Sequence, residues 1–135
     1  MKGVKNKDYW NKGQRLNKGM HNFRKLQIWL EARLLAKEIH LLLKKFPESE
    51  RFGMISQLRR CSISVPSNIA EGTSRSSTKA FYHFLEIALG SCFEMETQII
   101  LSQDFGYITE AEYADIVEKI IIQQKRITKF MGTLG

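Results

Sequence analysis

The chain has 135 residues, of which 43% are hydrophobic and 26% charged, and it carries a formal charge of +7. That length fits one domain with a sizeable core, and the composition is that of a globular protein. No uninterrupted apolar run approaches the roughly 20 residues of a membrane-spanning helix. The N-terminus has no apolar stretch like that of a secretory signal, so a cytoplasmic location is expected.

The charge is unevenly spread. Residues 1–22 hold six bases (Lys2, Lys5, Lys7, Lys12, Arg15, Lys18) and one acid, Asp8, for a net of +5. Residues 23–135 hold fifteen bases and thirteen acids, a net of only +2. The first 22 residues are rich in Asn, Gly and Lys and lack an apolar period, so they read as a basic, disordered tail before a domain at 23–135. Met20, where the patterned region begins, is an alternative start.

A first helix is expected from about Phe23 to Phe46. Ile28, Ala32, Leu35, Ile39, Leu42 and Phe46 alternate steps of four and three, a heptad-like seam, and Pro47 ends it. A second helix is expected from near Glu50 to Gly72, with Met54, Leu58, Cys61, Val65 and Ile69 inside and Gly72 as a C-terminal cap. Pro66 lies within it and removes the hydrogen bond to the Ser62 carbonyl, which predicts a kink. Two helices broken at Val65 are the alternative.

A third helix follows the Thr73–Ser77 turn, capped by Ser76 or Ser77 and ending near Gly106. Its core positions are Phe81, Leu85, Ala88, Cys92, Met95 and Ile99. The small residues Ala88, Gly90 and Ser91 should let a neighbouring helix approach. Thr109 and Glu112 form a capping box for a fourth helix, with Ile116, Ile120, Ile127 and Phe130 inward and Gly132 at its end. Short connections make successive helices antiparallel, so the expected fold is an all-α, up-down-up-down four-helix bundle.

Little reactive chemistry is legible. None of the three histidines, His21, His40 and His83, lies three residues after a glutamate, so the di-iron Glu-x-x-His pattern is absent. There is no glycine-rich phosphate loop, HExxH or G-x-S-x-G. Cys61 and Cys92 sit on apolar stripes and read as buried free thiols. His83 could act as a base but reads as a partly buried structural histidine. No metal, cofactor or catalytic residue is expected.

Two sets of residues remain. Gln57, Arg60, Ser64, Asn68 and Glu71 step by three or four and form a polar stripe on the second helix. With helices two and three antiparallel about residue 75, Gln57 and Arg60 fall near Glu94, and Asn68 near His83. Ser91, Glu94 and Gln98 supply the answering row, so a structural hydrogen-bond network is expected. A buried Arg60–Glu94 pair would cost about 3–5 kcal/mol to break. The other set is basic: Arg24, Lys25, Arg59, Lys125, Arg126 and Lys129 are the candidates for phosphate contacts. Aromatic residues fall mainly at core spacing, so no stacking platform is visible.

The chain also resembles a known family. Met20-His21-Asn22-Phe23-Arg24-Lys25-Leu26, Phe46-Pro47-x-x-Glu50-x-Phe52-Gly53, Gln57-Leu58-Arg59-Arg60 and Asn68-Ile69-Ala70-Glu71-Gly72 are similar to segments of the four-helix bundle proteins encoded in 23S rRNA intervening sequences. Phe84-Leu85-x-Ile87-Ala88-x-Gly90-Ser91-x-x-Glu94-x-Glu96-x-Gln98 continues the resemblance, which covers residues 20 to about 130. Residues 1–19 depart from it. The resemblance implies a ring-forming homopentamer without enzyme activity. A relative, the accessory protein of diversity-generating retroelements, binds nucleic acid and a reverse transcriptase. A surplus of apolar positions on the first and third helices independently suggests a closed homo-oligomer. The expected function is a non-enzymatic, self-assembling bundle that contacts RNA. A protein-interaction scaffold is the alternative, and an unrecognised hydrolase has only His83 and the carboxylates behind it.

Overall fold

A computed structural model describes residues 22–134. The basic segment up to residue 21 and the suggested start at Met20 lie outside the described residues. Among those described there are four α-helices and no strand: α1 (Gln27–Leu42), α2 (Met54–Thr73), α3 (Thr78–Asp104) and α4 (Glu110–Gly132). Short 3₁₀ turns at Phe23–Lys25, Leu43–Lys45 and Glu48–Glu50 flank α1 and lead into α2. The helices form a four-helix bundle in which α2 packs on α1 and α3, and α4 packs on α3 and α1. None is long and apolar enough to cross a membrane.

The core follows the apolar seams. Ile28, Ala32, Leu35 and Ile39 of α1 meet Leu58, Cys61, Val65 and Ile69 of α2. Phe81, Leu85, Ala88, Cys92, Met95 and Ile99 of α3 and Ile116, Ile120 and Ile127 of α4 complete it. Cross-links fix the directions of neighbouring helices. Between α2 and α3, Arg60 reaches Glu94, while Gly72 lies against Phe81 near the other end of α2. Between α1 and α4, Gln123 reaches Ile28 and Lys119 reaches Glu38. Both pairs are therefore antiparallel.

The helices differ from the sequence expectation in four places. The first helix is shorter than Phe23–Phe46: its final turn tightens to 3₁₀ and Phe46 is extended, at φ −71° and ψ 150°. Proline at 47 forces that, because its ring excludes the helical region for the preceding residue. The tighter turn places Leu43 and Phe46, three residues apart, in the core, while Leu42 is only half-buried. Second, α2 begins at Met54 rather than near Glu50. Third, Gly72 is not a cap: α2 continues to Thr73, and Ser74 caps it in a right-handed conformation. Fourth, Gly90 is exposed and meets nothing within 4 Å, so of the small residues only Ala88 and Ser91 are buried.

The α2 helix is continuous through Pro66, which excludes two helices broken at Val65. Ser77 caps α3 by accepting a hydrogen bond from the Ala80 amide. At its other end Gly106 has φ +80°, the Gly106 N–H donates to the Gln103 carbonyl and Tyr107 N–H donates to Ser102. This is a Schellman ending, and it needs the left-handed freedom of glycine. The Thr109–Glu112 capping box is formed at the start of α4.

Glu50 ties this end of the bundle together. Its Oε1 accepts from the Met54 amide at 2.9 Å and its Oε2 accepts from the Tyr107 hydroxyl at 2.6 Å. The backbone donor, then the tyrosine, hold its carboxyl below the ordinary value of 4.5. A carboxylate with a depressed pKa in the fold contributes stability above its unfolded value, and the contribution fades as pH falls through the folded value. Glu50→Gln is accordingly expected to lower the melting temperature at pH 6 and to flatten its decline between pH 5 and 3. Thermal unfolding at stepped pH checks both.

Candidate nucleic-acid interface and the polar face

Five of the six basic candidates share one end of the bundle. Asn22 fixes the entry to the first 3₁₀ turn, its Oδ1 accepting from the Arg24 amide at 3.2 Å. The Arg24 guanidinium lies 4.5 Å from the centre of the Phe23 ring, which packs edge-on to Trp29 at 5.0 Å. These contacts anchor Arg24 and Lys25 beside the start of α1. The last turns of α4 return to the same place, bringing exposed Lys125, Arg126 and Lys129. An open groove of about 330 Å³ between Leu26, Gln27 and Ile28 on one side and Arg126, Lys129 and Phe130 on the other joins the two.

The charges at this end are unequal in freedom. Arg126 is paired with Glu31 across the α1–α4 contact. Lys25, Lys125 and Lys129 have no acidic partner within salt-bridge distance among the described residues. Lys129 also sits in the last turn of α4, where the helix dipole favours a cation. Arg75, in the α2–α3 turn, pairs with Glu71 at 2.8 Å and lies over Phe84. Away from this end the cations are more often matched: Lys45 with Glu112, Lys119 with Glu38 and Asp115, Arg60 with Glu94. Arg59 stands apart from the other five. It lies near the start of α2, beside His40, Lys44 and Arg51.

The polar stripe of α2 and its counterpart on α3 divide into two clusters. In the first, the Arg60 Nη2 donates to Gln57 Oε1 at 2.8 Å and to Glu94 Oε2. Gln98 Nε2 also donates to Glu94, and the Cys61 thiol donates to Gln98 Oε1 at 3.5 Å. In the second, Asn68 Nδ2 donates to both Ser64 oxygens at 2.9 Å, and the Ser64 and Ser91 hydroxyls share a hydrogen bond of 2.9 Å. Glu71 joins neither, because Arg75 takes it. Asn68 turns back to its own helix rather than toward His83.

Burial corrects the energetic expectation. The side chains of Arg60 and Glu94 are 58% and 37% exposed, so the pair is a surface one. Water supports each charge when the other is removed, and such pairs contribute about 0–1 kcal/mol. Glu94→Ala should therefore lower the melting temperature by no more than about 5 °C, in place of the collapse that a buried pair would give.

Burial pushes both cysteine thiols up to about 12, which leaves them protonated and unreactive. The paired hydroxyls of Ser64 and Ser91 have no histidine on them. His83 is exposed, contrary to its expected partial burial, and its ring packs against Phe84 at 5.7 Å. Among the described residues no three His, Cys, Asp or Glu side chains gather in a way that could hold a metal ion.

The model of the 23S rRNA-intervening sequence protein family matches residues 24–129. The chain belongs to this family. A solved structure has the same fold: a protein of unknown function from the S23 ribosomal protein family of Bacteroides thetaiotaomicron. It is 25% identical and superposes with a TM-score of 0.70 over 77% of this chain and 97% of its own. No curated protein matches. The match begins at residue 24, four residues after the resemblance drawn from Met20 onward. The Asn68–Gly72 block and the Glu94 row fall inside it.

Two features were not legible in the sequence. Gln123 and Gln124 are buried in the α4 seam, where the Gln123 Nε2 donates to the Ile28 carbonyl at 2.9 Å. Phe52 is 87% exposed, in the connection between α1 and α2. The signal for the first is a seven-residue spacing, with Gln123 midway between Ile120 and Ile127. For the second it is an aromatic outside any helical period.

Proposed function

We propose that this member of the family is a non-enzymatic bundle that self-assembles and holds RNA through phosphate contacts. The observation that carries the reading is the gathering of Arg24, Lys25, Lys125, Arg126 and Lys129 at one end of the bundle. The segment that precedes Asn22 in the chain carries six further bases against one acid. A polyanion gains from such a concentration by releasing its counterions. Contacts are to phosphate rather than to base edges, since lysine and arginine occur at this end without a recognition motif. Binding should then be tolerant of sequence and steeply dependent on salt.

Assembly has its own support. Leu30, Leu34 and Leu41 form an exposed row along α1, and Ile122 of α4 lies near Leu34. An apolar row of this kind is a typical contact surface. A closed homo-oligomer, a pentamer by the resemblance, would cover it and repeat the basic end around the ring. Weak sites then combine by avidity, provided one RNA reaches several subunits. The same row also favours the scaffold reading, in which a protein occupies it and no nucleic acid is bound.

Fluorescence anisotropy with a structured RNA and an unrelated duplex, across a salt series, tests the proposal. Affinity should fall roughly tenfold or more over a fourfold rise in salt. Replacing Lys25, Lys125 and Lys129 together by alanine should weaken binding by about tenfold and make the salt slope shallower. Binding retained by the chain from Met20 onward assigns the contact to the bundle, and binding lost with residues 1–19 assigns it to the tail. No binding at low salt puts the scaffold in front. Light scattering of a monomer at micromolar concentration would remove the assembly.

A further inference from the structure

The opposite end of the bundle carries a second basic feature, of different construction. Where α1 gives way to α2, an open groove of about 370 Å³ is lined by His40, Lys44, Arg51 and Arg59. Its floor is apolar, made by Leu43 and Phe46 of the core. The sole acid on its wall is Glu48, which reaches Arg51 at 3.5 Å with both side chains mostly exposed. So loose a pair yields readily to a stronger anion. Lys44 and Arg59 have no acidic partner within salt-bridge distance among the described residues.

Phe52 does not line this groove but follows Arg51 of its wall in the chain. A phenylalanine that is 87% exposed adds nothing to the core and leaves an aromatic face open to solvent. The Arg51 guanidinium lies 5.4 Å from its ring centre, so the ring is joined to the basic wall by one of the wall's own residues. The first amide of α2, that of Met54, is already taken by the Glu50 carboxylate. A positive groove against an open aromatic face is the combination that holds a single nucleic-acid strand: the phosphate enters the groove and the neighbouring base stacks on the ring.

We propose that Lys44, Arg51 and Arg59, with His40 at the rim, bind a backbone phosphate of single-stranded RNA while Phe52 stacks on an adjacent base. This rests on the reading of the protein as an RNA binder, but it assigns a separate site and a strand preference. A duplex keeps its bases stacked on each other and cannot offer one to Phe52, so the site selects unpaired RNA.

The test uses the full chain, a fluorescein-labelled twelve-nucleotide oligouridine and a duplex RNA of equal length, read by anisotropy. Phe52→Ala should weaken oligouridine binding roughly tenfold and leave the duplex unchanged, whereas Phe52→Trp should retain the wild-type affinity. Lys44→Ala combined with Arg59→Ala should weaken oligouridine binding about tenfold and reduce its salt slope. Because Phe52 is exposed, Phe52→Ala should unfold at the wild-type temperature, which keeps the comparison clean. Oligouridine affinity indifferent to Phe52→Ala overturns the proposal, as does an equal loss for duplex and single strand. If the wild type binds neither RNA at low salt, both this site and the general RNA reading fall. If binding responds to Lys25, Lys125 and Lys129 but not to Phe52, only this site does.

Discussion

Gly72→Ala is expected to destabilise the protein, although intrinsic helix propensity argues the reverse. Alanine in place of glycine inside a helix gains about 1 kcal/mol by propensity. At this position, however, an added Cβ would meet Phe81 Cδ1 at 2.7 Å and Phe84 Cβ at 3.0 Å. Neither can move aside easily. Phe81 is fully buried and packs edge-on to Phe130 at 5.8 Å, and a Cβ moves only with its backbone. Overpacking of a tight core costs about 1–3 kcal/mol, which should outweigh the gain. Gly72→Val adds two further methyls and should cost roughly 3 kcal/mol or more, lowering the melting temperature by about 10 °C. Differential scanning calorimetry of the two variants decides the sign. A rise in melting temperature for Gly72→Ala would show that α2 and α3 are packed more loosely at this crossing. Pairing Gly72→Ala with Phe81→Leu should recover part of the loss, because the smaller side chain vacates the contested space.

That glycine shows how sequence reading succeeds and fails in this chain. The helices were legible because their apolar residues recur at a period that only a helix presents to one side. The ends were less so. Glycine near the end of an apolar stripe is an ordinary stop signal, and nothing in one sequence says that two phenylalanines on another helix will press against it. Pro47 marked the end of the first helix correctly to within a turn. The switch to 3₁₀ was hidden because Phe46 is in the core under either winding, and only its partner changes, Leu43 taking the place expected for Leu42.

The pairing of Arg60 with Glu94 followed from folding two helices back about residue 75. Register is a matter of counting, and the sequence carries it. Exposure is not: it depends on which way the whole α2–α3 pair is turned, and the stripe faces water. The basic residues show the same division. Their types were visible, but the gathering of five at one end and the placing of Arg59 at the other depend on antiparallel packing of four helices. Phe52 belongs to no period, so sequence spacing had no purchase on it.

Gln123→Glu should be the most damaging change of a single functional group, and its effect should depend on pH. Gln123 occupies a core position of α4 between Ile120 and Ile127, only 2% exposed, and its amide donates to the Ile28 carbonyl at 2.9 Å. That hydrogen bond joins the last helix to the first turn of α1, beside the basic end. A carboxylate there would lose the donor, face a carbonyl oxygen and be stripped of water. Glu31 and Glu38 line the same α1–α4 groove and would repel it further, though Lys119 and Arg126 are also present. Each of those cations is already paired with one of the two glutamates.

Desolvation raises the pKa of a carboxyl group, so the folded variant would hold its proton to higher pH than the unfolded chain does. The sign follows. Below about pH 4, the ordinary carboxyl range, both states are protonated and the variant should approach wild-type stability. Above that range the unfolded state ionises freely while the folded one does not, and the deficit grows until the folded pKa is passed. For a shift of roughly 2–3 units the deficit at pH 7 is about 3–4 kcal/mol. Gln123→Leu, which keeps the volume and adds no charge, should cost far less at every pH. Urea unfolding of both variants at pH 4 and pH 7 separates the effects. A deficit for Gln123→Glu that stays constant with pH would mean that water reaches the side chain, and that the start of α1 is less firmly closed against α4 than the Gln123–Ile28 hydrogen bond implies.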